Sequence, residues 1–174
     1  MAVEFYCENY MLFYRRCDSI SELKASLEDS KDSVILEGIE QKESLILHVK
    51  QIGIEVEKRI GLSCGTAMQP KTLISAKSYN LWICLDTILY VLDVSTLKVM
   101  NRCEFIDYIW DFYQGSNYVT AIRETGLSVH DLDGYPLSEH TFPDKLHDYS
   151  INEDIIVVRC DSGEEKEYNL LAEV

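Results

Sequence analysis

Basic residues are scarce in this sequence. It holds 16 Lys and Arg against 30 Asp and Glu, a formal net charge of −14. A surface so short of cations argues against direct nucleic-acid binding and against anionic membranes, since both repel it. Long apolar runs are also missing, and nothing approaches the roughly 18 residues of a membrane span. The opening MAVEFYCENYMLFYRRCD carries Glu4 and Glu8 and has no basic segment ahead of an apolar one, unlike a secretory leader. The expected location is therefore the cytoplasm. The six cysteines, Cys7, Cys17, Cys64, Cys84, Cys103 and Cys160, form no C-x-x-C pair. Reduced thiols are expected there, and Cys84, Cys103 and Cys160 lie in strand-like runs as small core hydrophobes. The four histidines, His48, His130, His140 and His147, are scattered, with no Cys or carboxylate at ligand spacing. No metal or other cofactor is assigned.

What remains is ample for a core. The 174 residues are 47% hydrophobic, with 11 Tyr spread along the chain. Disorder is excluded, no disulfide or metal staple is needed, and residues 1–174 read as a single domain.

Alternating runs and turn signals dominate from residue 34 onward. LYVLDV (89–94) and LSVHDL (127–132) both fit L-x-V-x-D-φ and lie 38 positions apart. Each follows a strand, LWICLD (81–86) or YVTAIRE (118–124), and precedes another, VMNRCEF (99–105) or PLSEHTF (136–142). Thr125-Gly126 and Asp133-Gly134 supply the tight turns. Looser units flank these. SVILEGIE (33–40), SLILHVK (44–50) and IEVEKRI (54–60) lie upstream, and HDYSIN (147–152), IIVVRC (155–160) and KEYNLL (166–171) downstream. Anchor strands begin near 45, 89, 127 and 166, with His48 and His130 at similar places in theirs. A period of about 40 residues with about four strands per unit marks propeller blades, which stack to cover both faces of each small sheet.

Residues 34–174 thus resemble WD-type β-propeller repeats, although the Gly-His at a blade start and a Trp before the Asp are absent. The resemblance implies an all-β, mostly antiparallel fold of about four blade-like repeats. A closed ring, an open or half propeller and a twisted sandwich all fit it. Residues 1–33 differ: two short aromatic strands precede a helix expected at 19–30. Ser19 and Glu22 form its capping box, and Ile20, Leu23 and Leu27 share a face that would pack on a sheet edge. GLSCGTAMQPKT (61–72) reads as a loop.

Gly61-Leu62-Ser63-Cys64-Gly65 matches the G-x-S-x-G nucleophile elbow, which needs a helix after the Ser. No helix is expected at 66–71, and a turn is the preferred reading. Asp131-Leu132-Asp133-Gly134 resembles the opening of a calcium loop but lacks the distal ligands, and it too reads as a turn.

The most unusual segment is EFIDYIWDFYQGSNY (104–118). Strict alternation puts Phe105, Asp107, Ile109, Asp111 and Tyr113 on one face and Ile106, Tyr108, Trp110 and Phe112 on the other. Carboxylates on one side among aromatics suit an interface with a basic surface, since rings stack on Arg and carboxylates pair with it. The candidate partner-binding residues are Glu104, Asp107, Tyr108, Trp110, Asp111 and Tyr113, with Glu124, Asp131, Asp133, Glu153 and Asp154 in turns that gather at blade ends. No catalytic residue is assigned.

In size, acidity and β-rich build the chain resembles the immunity proteins of bacterial contact-dependent growth inhibition systems. That resemblance implies a one-to-one complex with a basic toxin, a nuclease domain, whose active site the protein covers. A non-enzymatic propeller-like interaction scaffold, a serine hydrolase around Ser63 and a fragment of a longer propeller are the other readings.

Overall fold

The computed structural model describes residues 4–7, 9–28, 30, 32–66 and 69–171, the side chains of 4–7 excepted. The chain forms two compact units, Met1–Glu104 and Phe105–Val174.

The first unit holds two sheets. One is built from β1 (Glu4–Cys7), β2 (Tyr10–Cys17), β3 (Ser33–Glu37), β4 (Glu43–Gln51) and β5 (Glu57–Cys64), in the order β1-β2-β4-β5-β3. The other is a meander of β6 (Lys71–Ile74), β7 (Asn80–Leu85), β8 (Ile88–Asp93) and β9 (Val99–Glu104). Every residue of β7 and all but the last of β8 are buried, as strands apolar on both faces require. They are joined by Asp86-Thr87, with Asp86 at φ 58°, the left-handed setting of a two-residue hairpin turn. The apolar faces of both sheets, with Leu47, Ile60, Leu62, Leu81, Ile83 and Leu92 fully buried, form one cluster.

In the second unit the strands of the described residues are consecutive and antiparallel. β10 (Ile109–Gln114), β11 (Tyr118–Arg123), β12 (Gly126–Asp131) and β13 (Pro136–Thr141) make one sheet. The other is β14 (Leu146–Asn152), β15 (Ile155–Cys160) and β16 (Glu165–Asn169). Tyr118, Ile122, Leu127, Val129, Ile156 and Val158 fill the core of this unit.

The mostly antiparallel β fold and the two L-x-V-x-D-φ strands match the sequence reading. β8 and β12 are each the third strand of a four-stranded meander. The upstream repeat needs correction, because β3 pairs with β5 in parallel and not with β4. A parallel pair needs a crossover, so a simple hairpin series cannot describe this sheet. Residues 61–72 are not all loop either. Gly61–Cys64 continue β5, and Lys71 opens β6.

One helix, α1 (Ile20–Glu28), follows β2. Ser19 Oγ accepts the Glu22 amide at 3.1 Å, while the Glu22 carboxylate reaches back to the Asp18 amide at 2.7 Å. The capping box therefore forms one residue wider than its simplest version. Leu23 and Leu27 are buried with Cys17, Ile46 and partly buried Ile35, so α1 covers the face of the first sheet and not its edge. Ile20, expected on that face, is 37% exposed. Close approach depends on Gly61, where a Cβ would come within 2.7 Å of Leu27 Cδ1.

Candidate acidic interface

The segment 104–118 does not run as one strand. Glu104 closes β9, residues 105–108 form a connection, and β10 begins only at Ile109. The register also shifts between Ile109 and Asp111, so strict alternation across the segment fails. Asp107 and Asp111 consequently have quite different surroundings.

Asp107 is buried. Its Oδ1 accepts Arg123 Nη1 at 2.9 Å, and its Oδ2 accepts the Thr125 amide at 2.7 Å and the Thr125 hydroxyl at 2.6 Å. Arg123, at the end of β11, also donates through Nη2 to Glu139 and lies 4.8 Å from the centre of the Phe105 ring. Asp107 holds the β11–β12 turn to the entry of β10, and it is unavailable as an open contact residue. Asp111 is exposed, and its Oδ2 accepts the Tyr149 hydroxyl at 2.9 Å.

The other candidates separate into groups. Tyr108 and Glu124 lie at the same sheet end as Asp107, where the Glu124 amide donates to the Tyr108 carbonyl and Lys145 reaches the Glu124 carboxylate at 2.7 Å. Tyr113, Asp131, Asp133, Glu153 and Asp154 gather at the opposite end. Tyr118 faces Asp131 across the ladder, and its hydroxyl donates to Asp154 Oδ1 at 2.6 Å. Tyr113 donates to the Glu153 carbonyl at 2.8 Å. Burial chiefly, with the bond to Asp154 second, pushes the Tyr118 phenol well above its ordinary pKa. Asp131 Oδ1 accepts the amides of Asp133 and Tyr135 around Gly134, at φ 91°, which is the turn expected at that position. Trp110 is half-buried against the core of this unit. Glu104 belongs to the other unit and pairs with Arg102 at 3.1 Å.

Charge is distributed unequally between the two units. Phe105–Val174 contains 15 Asp and Glu against 4 Lys and Arg, a net −11 of the total −14. All four cations are already engaged: Arg123 with Asp107 and Glu139, Lys145 with Glu124, Arg159 with Glu165, and Lys166 over the Tyr168 ring. Exposed carboxylates, Asp111, Asp148 and Glu153 among them, dominate what is left.

Sequence reasoning passed over Arg123 and Tyr149. The lone Arg in the otherwise apolar YVTAIR was the available signal for the first. No local signal marked the second. His48 and His130, similar in the repeat, do different things. His48 stacks on Phe13 and bonds Glu57 at 2.8 Å. Buried His130 bridges the Gly134 carbonyl and the Ser128 hydroxyl. Burial chiefly pushes the His130 imidazole below its ordinary pKa. It is neutral at pH 7, with Nδ1–H donating to the carbonyl. Ser63 sits inside β5 at 1% exposure, followed by no helix among the described residues. The elbow geometry is therefore not formed. No group of three or more His, Cys, Asp or Glu suited to a metal occurs among the described residues.

No family model matches the chain, and no curated protein matches it. Solved structures do. A computationally designed protein, Ika4, superposes with a TM-score of 0.52 at 13% identity, over 78% of this chain and 89% of that one. HIRA(644–1017) superposes with a TM-score of 0.51 at 11% identity, over 100% of this chain and 51% of that one. The fold is β-propeller-like. At such identities the likeness extends to the fold alone, and the chain spans about half the length of the HIRA fragment.

Proposed function

We propose that this protein is a non-enzymatic interaction module with a β-propeller-like fold, and that its acidic unit, Phe105–Val174, docks a basic protein surface. The observation that carries this reading is the concentration of net −11 in that unit with every one of its cations already engaged. Such a field attracts a cationic partner, speeds encounter and disfavours anionic competitors. Exposed Tyr135, at 59%, and half-buried Tyr113 add rigid aromatic area beside Asp133 and Glu153.

The narrower reading, an immunity protein that covers a basic nuclease toxin, adds a partner identity supported by acidity and size alone. The interaction module is preferred.

Co-purification of the tagged chain from its native host tests the proposal. A basic protein should be retained at low salt and released as salt rises. The triple charge reversal Asp133→Lys, Asp148→Lys and Glu153→Lys should abolish retention while leaving the fold intact by circular dichroism. Recovery of the chain alone, or retention unaffected by that reversal, refutes it.

A further inference from the structure

Within Met1–Glu104 an open cavity of about 420 Å³ is lined by Tyr10, Tyr79, Asp93, Gln51 and Ser95, among others. That volume lies in the range of small-ligand sites. Its polar groups are only partly used by the fold. Asp93 Oδ1 accepts the Ser95 amide at 2.7 Å, the Thr96 amide at 2.9 Å and the Ser95 hydroxyl. The Thr96 side chain adds a further hydrogen bond to this carboxylate, whereas the hydroxyls of Tyr10 and Tyr79 bond to no other described residue. The two phenols and the carboxylate are close enough that Tyr79 and Asp93 add to burial in raising the Tyr10 pKa.

Tyr79 stands out conformationally. It is 49% exposed and sits at φ 56°, a setting that bulky L residues rarely adopt. A closed turn holds it there, with the Tyr79 amide donating to the Ser75 carbonyl and the Ser75 amide to the Asn80 carbonyl, both at 2.9 Å. Strain of this kind clusters at binding sites, and here its effect is to keep an aromatic ring at the mouth of the cavity. A second hollow of about 180 Å³ shares Tyr10, Gln51 and Ser95 and is bordered by Ile54 and Val56, which are 44% and 57% exposed.

Two aromatic rings, a carboxylate on the cavity wall and an adjoining apolar rim match one side chain best. A guanidinium stacks on rings and accepts no proton, so it satisfies Asp93 and the phenol oxygens as a donor. Its alkyl stem suits the apolar rim. The carboxylate disfavours an anion, and no set of metal ligands is present among the described residues. We propose that the cavity lined by Tyr10, Tyr79 and Asp93 receives an arginine side chain of a protein partner. This site lies in the less charged unit and stands apart from the docking role assigned to Phe105–Val174.

The test is a titration of the isotopically labelled full chain, followed by amide chemical shifts, with N-acetyl-arginine methylamide as probe. The matched controls are the neutral citrulline analogue and the lysine analogue. Saturable shifts confined to Tyr10, Tyr79 and Ser95 are expected with the arginine probe, weaker with lysine and absent with citrulline. Tyr79→Gly relieves the backbone strain, so it should melt no lower than the parent, yet bind about tenfold more weakly. Asp93→Asn keeps an oxygen for the Ser95 and Thr96 amides and should also weaken binding. No shift at the cavity, equal shifts with citrulline, tighter binding of lysine, or unchanged affinity in Tyr79→Gly would each overturn the proposal. None of these outcomes bears on the acidic unit, which is tested by its own charge reversals.

Discussion

Asp107 and Arg123 form an ion pair at 2.9 Å with both residues nearly excluded from water, at 7% and 4% exposure. The pair ties the segment before β10 to the β11–β12 turn, and Thr125 completes the carboxylate's shell. A charge taken so far out of water is tolerated only while its partners remain.

Asp107→Ala should therefore be strongly destabilising, by about 3 kcal/mol or more, because it strands a buried guanidinium that keeps Glu139 as its remaining carboxylate. Replacing both partners with apolar residues, Asp107→Leu with Arg123→Met, should cost less than the single change. Urea unfolding of the three proteins checks this order, and a milder effect of the single substitution would refute it.

Lowering the pH should weaken the protein through His130. Its folded pKa is depressed below the ordinary value of 6.5, mainly by burial. Between those two values the unfolded chain binds the additional proton. The stability contribution is thus complete above about pH 6.5 and is lost as pH falls below it. The melting temperature should drop as pH is lowered from 7.5 towards 5, and His130→Gln should flatten that dependence. Parallel curves for the two proteins would exclude His130 as the cause.

Gly61→Val should loosen α1. A side chain there meets Leu27 Cδ1 and Leu23 Cδ1 at 2.7 and 3.3 Å, in addition to Ile35. Overpacking of this kind costs about 1–3 kcal/mol. Far-ultraviolet circular dichroism and thermal melts read the loss. Ser63→Ala, two residues on in the same strand, should leave labelling by a serine-directed hydrolase probe at background, as in the parent.

Cys64 should be inert in the native state. Burial chiefly, reinforced by the nearby Asp86 carboxylate, pushes its thiol up to about 12, so almost no thiolate exists at pH 8. Half-buried Cys103 should react with a thiol reagent sooner. Mass mapping of the first labelled site decides between them.

The strands whose two faces are both buried were legible in the sequence. LWICL and ILYVL have nowhere polar to turn, and the L-x-V-x-D-φ pair marked β8 and β12 as equivalents. Ser19 and Glu22 likewise announced α1. The parallel placement of β3 was not legible, because local alternation carries no information about which strand a segment pairs with. Asp107 was misplaced for a related reason. Alternation assumes an unbroken strand, and the segment bends before β10 begins. The polar contacts of Tyr149 and Tyr118 span 38 and 36 positions, beyond the reach of any local pattern. The charge imbalance of residues 105–174 was present in the sequence all along, but it gains meaning only once the boundary at Glu104 is known.

The parallel pairing of β3 with β5, and the pairing of β2 with β4 across the intervening α1 and β3, also bear on how the chain reaches its native state. Phe105–Val174 needs only neighbouring hairpins, whose loops are short and cheap to close. Met1–Glu104 must bring together strands separated by a helix and another strand before its first sheet is complete. Chains dominated by short-range contacts fold faster than those that depend on distant ones. During refolding the acidic half should therefore acquire its structure first, while the half that contains the parallel pair limits the overall rate.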